Sequence, residues 1–426
     1  MYKPVKKIEV FAWDKKVGAV VLDPSSGYYV FAYYPQFIKL GIELAPIQMP
    51  TSLSPYVFAY LPEQTFKRLP ALLADALPDD FGNTLIDAWM AKKGVRKEDV
   101  TPLDRLAYMG KRSMGSLEFK PSRSHSTVSS ATALKMSVLV EAARRAVSGF
   151  MQTDDMAEAA LTQIIQVGTS AGGARAKAAI AWNPETGEIR SGQFDVSAGF
   201  EHWLLKFDGV GKDMGLGSSK DYGRIEYAYY KMATMAGIAM SPCRILEENG
   251  RAHFMTKRFD REGNQKNHMQ TLCAMAHLDY KQLATHDYAQ LFLTIDQLDL
   301  GYEAMEEGFR RMAFNVMSAN CDDHTKNFSF MLKKRGNWRL SPAYDVTHAY
   351  NPQGANVHQH LMSVNGKFKD ITRSDLLEVA KRFGIGTANK VLKDIAQAIS
   401  CWPELAQAAG VDAKEIEKIR SHHQIL

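Results

Sequence analysis

Asn320-Cys321-Asp322-Asp323-His324-Thr325-Lys326-Asn327, with Ser341-Pro342-Ala343-Tyr344-Asp345 downstream, decides how the chain is read. An aspartate, an asparagine five positions later, two strand-like stretches and a further aspartate give the spacing of a phosphoryl-transfer centre. In such a centre Asp322 accepts the proton of an attacking hydroxyl. Asn327 and Asp345 supply oxygens to a magnesium ion held against the phosphates of ATP. From Met305 to Ala319 the residues Phe309, Met312, Ala313, Val316 and Met317 fall on one helical face, so a helix ends near Asn320 and a loop follows. Phe328 to Leu332 alternates apolar and polar, Lys333 to Asn337 is a turn, and Trp338-Arg339-Leu340 is a return strand. That hairpin carries Asp345 back beside Asn327. Lys326, between the base and the first metal ligand, is placed to screen charge on the phosphoryl group.

Upstream, Gly168-Thr169-Ser170-Ala171-Gly172-Gly173-Ala174-Arg175-Ala176-Lys177 is a loop of small residues whose backbone N–H groups can approach an anion closely. No Gly-Lys-Ser/Thr follows, so it is not a Walker A loop. The strand-like run Ala178 to Trp182 comes next, the order in which a loop covers a nucleotide. Ser170 is a candidate phosphorylation site, because phosphate there competes with ATP for the same donors. His202 to Phe207 is strand-like and ends in Lys206, a candidate for the α- and β-phosphates. Glu226, in the helical stretch Ile225 to Ala236, is the candidate carboxylate to orient it. A strand-end lysine and a solvated helix face give the same pattern, and only the order of elements favours the site. Phe254 to Arg261 falls where adenine is held, with Lys257, Arg258 and Phe259 as candidate contacts.

The opening, Ile8 to Trp13, Val17 to Leu22 and Tyr28 to Tyr34, predicts a small antiparallel sheet with its first turn at Asp14-Lys15-Lys16. Phe66, Leu69, Leu72, Leu73 and Leu77 predict a helix ending at Pro78, and Phe81 to Lys93 a second closed by Gly94. The Ser/Thr-rich stretch 121–132 reads as an exposed connection. The tail, from about 374, reads as helices broken at Gly384-Ile385-Gly386 and Trp402-Pro403.

The 426 residues are enough for two or three domains, and the net charge of +5 is one that many ordinary enzymes carry. No apolar run is long enough for a bilayer, and no export signal is evident. The four cysteines form no CxxC pair, so a reduced, cytoplasmic setting is expected. His268, His277 and His286 lack metal-ligand spacing, and His358 and His360 read as alternating positions of a strand.

These motifs resemble the HipA family of bacterial Ser/Thr kinases, the toxins of toxin–antitoxin pairs. The family's D-G-H-x-K-N loop corresponds to Asp322–Asn327, with Asp323 in place of glycine. Its Y-D motif corresponds to Tyr344-Asp345, S-x-x-G-x-x-x-K to Ser170–Lys177, the strand lysine to Lys206, E-Y to Glu226-Tyr227 and R-F-D-R to Arg258–Arg261. Leu72 to Asp79 and Met109 to Gly115 extend the resemblance through the N-terminal third. It implies an α+β, protein-kinase-like bilobal fold of the phosphoinositide-kinase-like branch. A β-rich N-terminal subdomain (1–120) precedes an ATP-binding N-lobe (133–262) and a mostly helical catalytic C-lobe (263–426). It implies ATP and Mg2+ as cofactors, and nucleotide contacts from Ala171 to Lys177, Lys206, Glu226, Lys257 to Phe259, His324, Asn327 and Tyr344. Inhibitory autophosphorylation at Ser170 is also implied. The partners it implies are a small helix-turn-helix, HipB-like antitoxin and a protein substrate, which in some members is an aminoacyl-tRNA synthetase. DNA would be met only indirectly or weakly. Asp323 is expected to alter loop shape or add charge near the metal. A small-molecule or lipid kinase is the alternative within the enzymes, and a co-repressor scaffold the alternative outside them.

Overall fold

Strand alternation is realised first at the N-terminus. Ile8 and Val10 on Lys7–Ala12, Val17 and Val20 on Lys15–Leu22, and Phe31 on Tyr29–Tyr33 are fully buried. Intervening positions such as Lys7, Lys15 and Lys16 face water. With Leu117–Lys120 these strands form a four-stranded sheet, in the spatial order third, second, first, fourth along the chain. Gly18 is required at its centre, because a Cβ there would lie 2.3 Å from the Ala32 carbonyl oxygen. The first turn is tighter than the sequence suggests. Ala12 already pairs with Lys15, and the turn residues are Trp13 and Asp14, both at positive φ (49° and 62°). That is the two-residue geometry whose twist matches the flanking strands.

The computed structural model describes residues 2–123, 134–148, 164, 175–210, 221–354 and 356–426. The glycine-rich residues Gly168 to Ala174, Ser170 among them, and most of the Ser/Thr-rich connection lie outside the described residues. The chain divides into two units: Met1–Gly211 with Met255–Gln270 and Met331–Asn337, and Lys212–Phe254 with Thr271–Phe330 and Trp338–Leu426. The first unit contains a buried clamp. Arg258 donates twice to the Asp260 carboxylate, at 2.9 and 2.7 Å, and Arg261 donates to it at 2.6 Å. The same carboxylate accepts the Gly115 N–H at 2.8 Å, and the Arg261 guanidinium reaches the Gly115 and Ser113 carbonyls. Lys266 pairs with Glu118 at 2.8 Å, and the Trp13 indole donates to the Lys266 carbonyl. The R-F-D-R element therefore fastens the N-terminal sheet to the segment that follows the second one. In that second sheet Lys177–Trp182 lies antiparallel between Ile189–Ser191 and Glu201–Lys206.

The other unit is mainly helical. Gly301–Met317 buries Phe309, Met312, Ala313, Phe314, Val316 and Met317. Each of the buried Phe, Met and Val side chains contributes about 2 kcal/mol. Tyr222–Met235 places Tyr229 edge-on to Trp402, 5.2 Å between ring centres. The helix expected over residues 66–77 is two single turns, Glu63–Phe66 and Ala71–Ala74. Lys67 and Arg68 adopt positive φ between them and Pro70 caps the second, so one continuous helix is impossible. No helix among the described residues is long and apolar enough to cross a membrane.

Candidate active site

The helix Gly301–Met317 ends at Ser318, and Ala319 turns the chain at φ 56°. The Asn320 N–H still reaches back to the Asn315 carbonyl (2.9 Å), while the Cys321 N–H and the Ala319 carbonyl pair with Ala349. The loop beyond this stem alternates. Cys321, Asp323 and Thr325 are buried; Asp322, His324 and Lys326 are not. The Asp322 side chain is 49% exposed, and its carboxylate lies 3.8 Å from His324 Nε2. Thr325 Oγ1 donates to the Leu278 carbonyl (2.7 Å), and Thr325–Asn327 forms a single 3-10 turn. Asn327 Nδ2 donates to the Asp322 carbonyl at 2.7 Å, which closes the loop on itself. Tyr280 packs edge-on to the His324 ring (5.2 Å) and carries the Lys326 ammonium 5.0 Å from its ring centre. Nothing in the sequence pointed to Tyr280.

The return segment meets this loop. Ser329–Leu332 and Trp338–Leu340 are the two strands of the hairpin, and the Ser341 N–H donates to the Ser329 carbonyl at 2.9 Å. Tyr344 OH then donates to the Lys326 carbonyl at 2.7 Å, so the residue before Asp345 is fixed on the loop that carries Asp322 and Asn327. Asp345 itself has φ 53°. Asn327, with its amide nitrogen committed to Asp322, keeps an oxygen, and Asp345 offers a carboxylate, both hard donors suited to Mg2+. Among the described residues no group of three His, Cys, Asp or Glu is arranged to hold a metal. A magnesium ion that takes most of its oxygens from phosphates and water does not need one.

Asp323 is engaged elsewhere. Its carboxylate is fully buried in hydrogen bonds with His360 Nδ1 and Tyr288 OH (both 2.8 Å) and the Leu361 N–H (2.7 Å). His360 is not on a strand; Asp323 raises its pKa well above the ordinary value, against the effect of burial.

In the first unit, Lys177 and Lys206 are directly opposite in the antiparallel register and only 3% and 9% exposed. Arg175 and Ala176 lead into the Lys177 strand. Lys257 pairs with Glu201 at 2.5 Å, and the Arg258 guanidinium is buried on Asp260, holding the chain rather than facing solvent. Phe259 is half-buried, its carbonyl taking the Asn267 side-chain amide. Glu226 is 2% exposed on the helix Tyr222–Met235 of the second unit.

Fold and loop geometry together define a mixed helix-and-sheet chain, sheet-rich at its N-terminus and helical toward its C-terminus. The chain belongs to the HipA family: residues 169–402 match the HipA-like C-terminal domain and residues 8–120 the HipA N-terminal domain. No curated protein matches it. Among solved structures, the HipA–HipB toxin–antitoxin complex with operator DNA from Shewanella oneidensis MR-1 is similar at a TM-score of 0.65 and 15% identity. That match covers 97% of this chain and 95% of the other. The proinflammatory kinase CtkA of Helicobacter pylori matches 52% of this chain and 88% of its own at 12% identity and a TM-score of 0.34.

Proposed function

We propose that the chain is an ATP- and magnesium-dependent protein serine/threonine kinase acting as the toxin of a toxin–antitoxin pair. The observation that carries this reading is the closure of the Tyr344-Asp345 turn onto the Asp322–Asn327 loop through the Tyr344–Lys326 hydrogen bond. Bound ATP with magnesium would supply an electrophilic γ-phosphorus with its charge partly neutralised. Asp322, half-exposed beside that turn, takes the proton of a serine hydroxyl. Asn327 and Asp345 hold the cation, and Lys326 lies alongside to offset charge on the phosphoryl group. Lys177 and Lys206 receive the nucleotide phosphates. The loop over residues 168–177 covers them, and its Ser170 is the autophosphorylation site.

Membership of the HipA family and the likeness to a HipA–HipB–operator complex support a small helix-turn-helix antitoxin as partner, with DNA met through it. The acceptor is a serine of a target protein, with an aminoacyl-tRNA synthetase the first to try. The test is direct: incubate the purified chain with γ-labelled ATP, Mg2+ and a cell lysate. Label on the chain and on a lysate protein, lost in Asp322→Asn, is the expected result. Label in small molecules or lipid alone redirects the reading to another kinase class. Transfer to nothing overturns it. Growth arrest that survives Asp322→Asn points to the co-repressor scaffold instead.

A further inference from the structure

We infer that Asp323 is a positioning residue for Asp322, acting through a buried hydrogen-bond chain that fixes the loop. Asp323 does not touch the reacting atoms, and the inference rests on Asp322 being the general base. The two neighbours are turned opposite ways. Asp322 is 49% exposed and Asp323 is 0% exposed. A carboxylate withdrawn from water is costly unless each oxygen is hydrogen-bonded, and here both are. Oδ2 accepts from His360 Nδ1 and from Tyr288 OH, each at 2.8 Å, and Oδ1 accepts the Leu361 N–H at 2.7 Å.

The donors continue in one direction. Tyr288 gives its proton to Asp323, so its oxygen is free to accept, and Asn315 Nδ2 donates to it at 3.0 Å. Asn315 Oδ1 in turn accepts from Asn320 Nδ2 at 2.9 Å. Asn320 is the stem of the loop, two residues before Asp322. The chain therefore leaves the loop at Asn320, passes through Gly301–Met317 and Tyr288–Gln297, and re-enters the loop at Asp323. Both sides of Asp322 are held by one buried network, which also takes in the segment at His360-Leu361. Glycine, the family residue at position 323, has no side chain for such an anchor. On the far side of the imidazole, His360 Nε2 lies 3.8 Å from Cys321 Sγ, so the residue before Asp322 is packed against the same ring.

A positioning role separates from nucleotide binding and from bulk stability. Asp323→Asn keeps the size and loses the charge. Tyr288→Phe removes one link and is the milder change, available if the first variant folds poorly. Misplacing a reacting group by about an ångström costs on the order of 100-fold in rate. The expected result is therefore a kcat about 10- to 100-fold lower for Asp323→Asn and a smaller fall for Tyr288→Phe. KM for ATP should stay within about twofold, because the phosphate-binding residues are untouched. Combined with His360→Gln, Asp323→Asn should be far less than additive, since both break one link. Hydrogen–deuterium exchange over residues 319–328 should rise in both single variants, a readout independent of catalysis. Unchanged kcat and unchanged exchange in both variants overturn the inference and leave the kinase reading intact. If the unaltered chain transfers no phosphate, the kinase reading fails and with it the assignment of Asp322 as the group positioned. In that case the exchange data still decide whether Asp323 anchors the loop.

Discussion

Under the proposed kinase reading, Asp345 combines two demands in one residue: a carboxylate for the cation and a left-handed backbone, φ 53°. Aspartate and asparagine enter that region more readily than other residues with a Cβ, because their short polar side chains bond locally. Asp345→Asn should leave stability nearly unchanged while abolishing magnesium-dependent transfer. Asp345→Ala should lose transfer and, in addition, about 1 kcal/mol of stability from the backbone alone. Urea denaturation of the two variants measures the difference; equal midpoints would mean that the left-handed turn carries no strain. Lys206 makes a second case. It pairs in register with Lys177, and under the proposed kinase reading both receive nucleotide phosphate. A ligand at 100 times its Kd stabilises by about 2.7 kcal/mol, a readable rise in Tm. Lys206→Met should abolish the rise produced by ATP with Mg2+; an undiminished rise would place the phosphates elsewhere. Which aspartate of the pair faces solvent was not legible in the sequence. Asp322 and Asp323 are chemically identical, and the inward turn of Asp323 is set by His360, 37 positions away.

The hairpin before Asp345 was legible because strand alternation and a Lys333–Asn337 turn are local signals. Its buttress was not, because it is made of three segments far apart in the chain. Arg311, nearly buried on Gly301–Met317, donates to Glu307 at 2.7 Å and to the Ser341 carbonyl at 2.8 Å. Glu307 also accepts the Ala239 N–H, and the Ala239 carbonyl accepts the Ala343 N–H at 2.8 Å. The helix that delivers Asp322 thus also pins the strand that delivers Asp345. Arg311→Met would leave the Ser341 carbonyl and a largely buried carboxylate without their cation. Breaking a buried pair from one side costs about 3 kcal/mol or more. The urea midpoint should fall accordingly with the m-value unchanged, and transfer activity should fall with it. A loss under about 0.5 kcal/mol, the level of an exposed pair, would show that the buttress carries little. The segment over 63–77 failed as a helix for a related reason. Its apolar spacing was right, but Pro70 and the left-handed Lys67 and Arg68 divide it, and only Pro70 was visible beforehand.

Within the first unit, the N-terminal sheet and the segment after Lys257 are joined by charges that composition does not reveal. Arg258 and Arg261 converge on a fully buried Asp260 whose pKa the two guanidinium groups hold below the usual carboxylate range. The chain's last residues are held in the second unit by a different chemistry, neutral histidine. The Gln424 N–H donates to the Met317 carbonyl, and Tyr229 OH donates to the Ser318 carbonyl. Tyr229 oxygen is therefore left to accept from His423 Nε2 at 3.0 Å. His348 Nε2 and His422 Nδ1 face each other at 3.0 Å with their rings stacked, so one must accept and cannot carry a proton. Burial pushes His348 down to about 3 and His423 to about 4, helped by the neighbouring histidines, and it lowers His422 as well. A histidine whose folded pKa is depressed favours the folded state above its unfolded value of about 6.5, where both states are neutral. As pH falls from about 6.5 toward 4 the unfolded chain takes up protons that the folded chain refuses, and stability declines. Each deeply depressed group contributes on the order of 2 kcal/mol to that decline. The Tm should therefore drop between pH 7 and pH 5. His253, His268 and His277, each lowered by burial to about 4, add to the same slope. Replacing His348 or His423 with glutamine removes one titrating group, so the variant should lose less Tm than the parent over that interval, whatever its stability at pH 7. Parallel curves for variant and parent would mean that these histidines are protonated in the folded chain, and the geometry around Tyr229 would have to be redrawn.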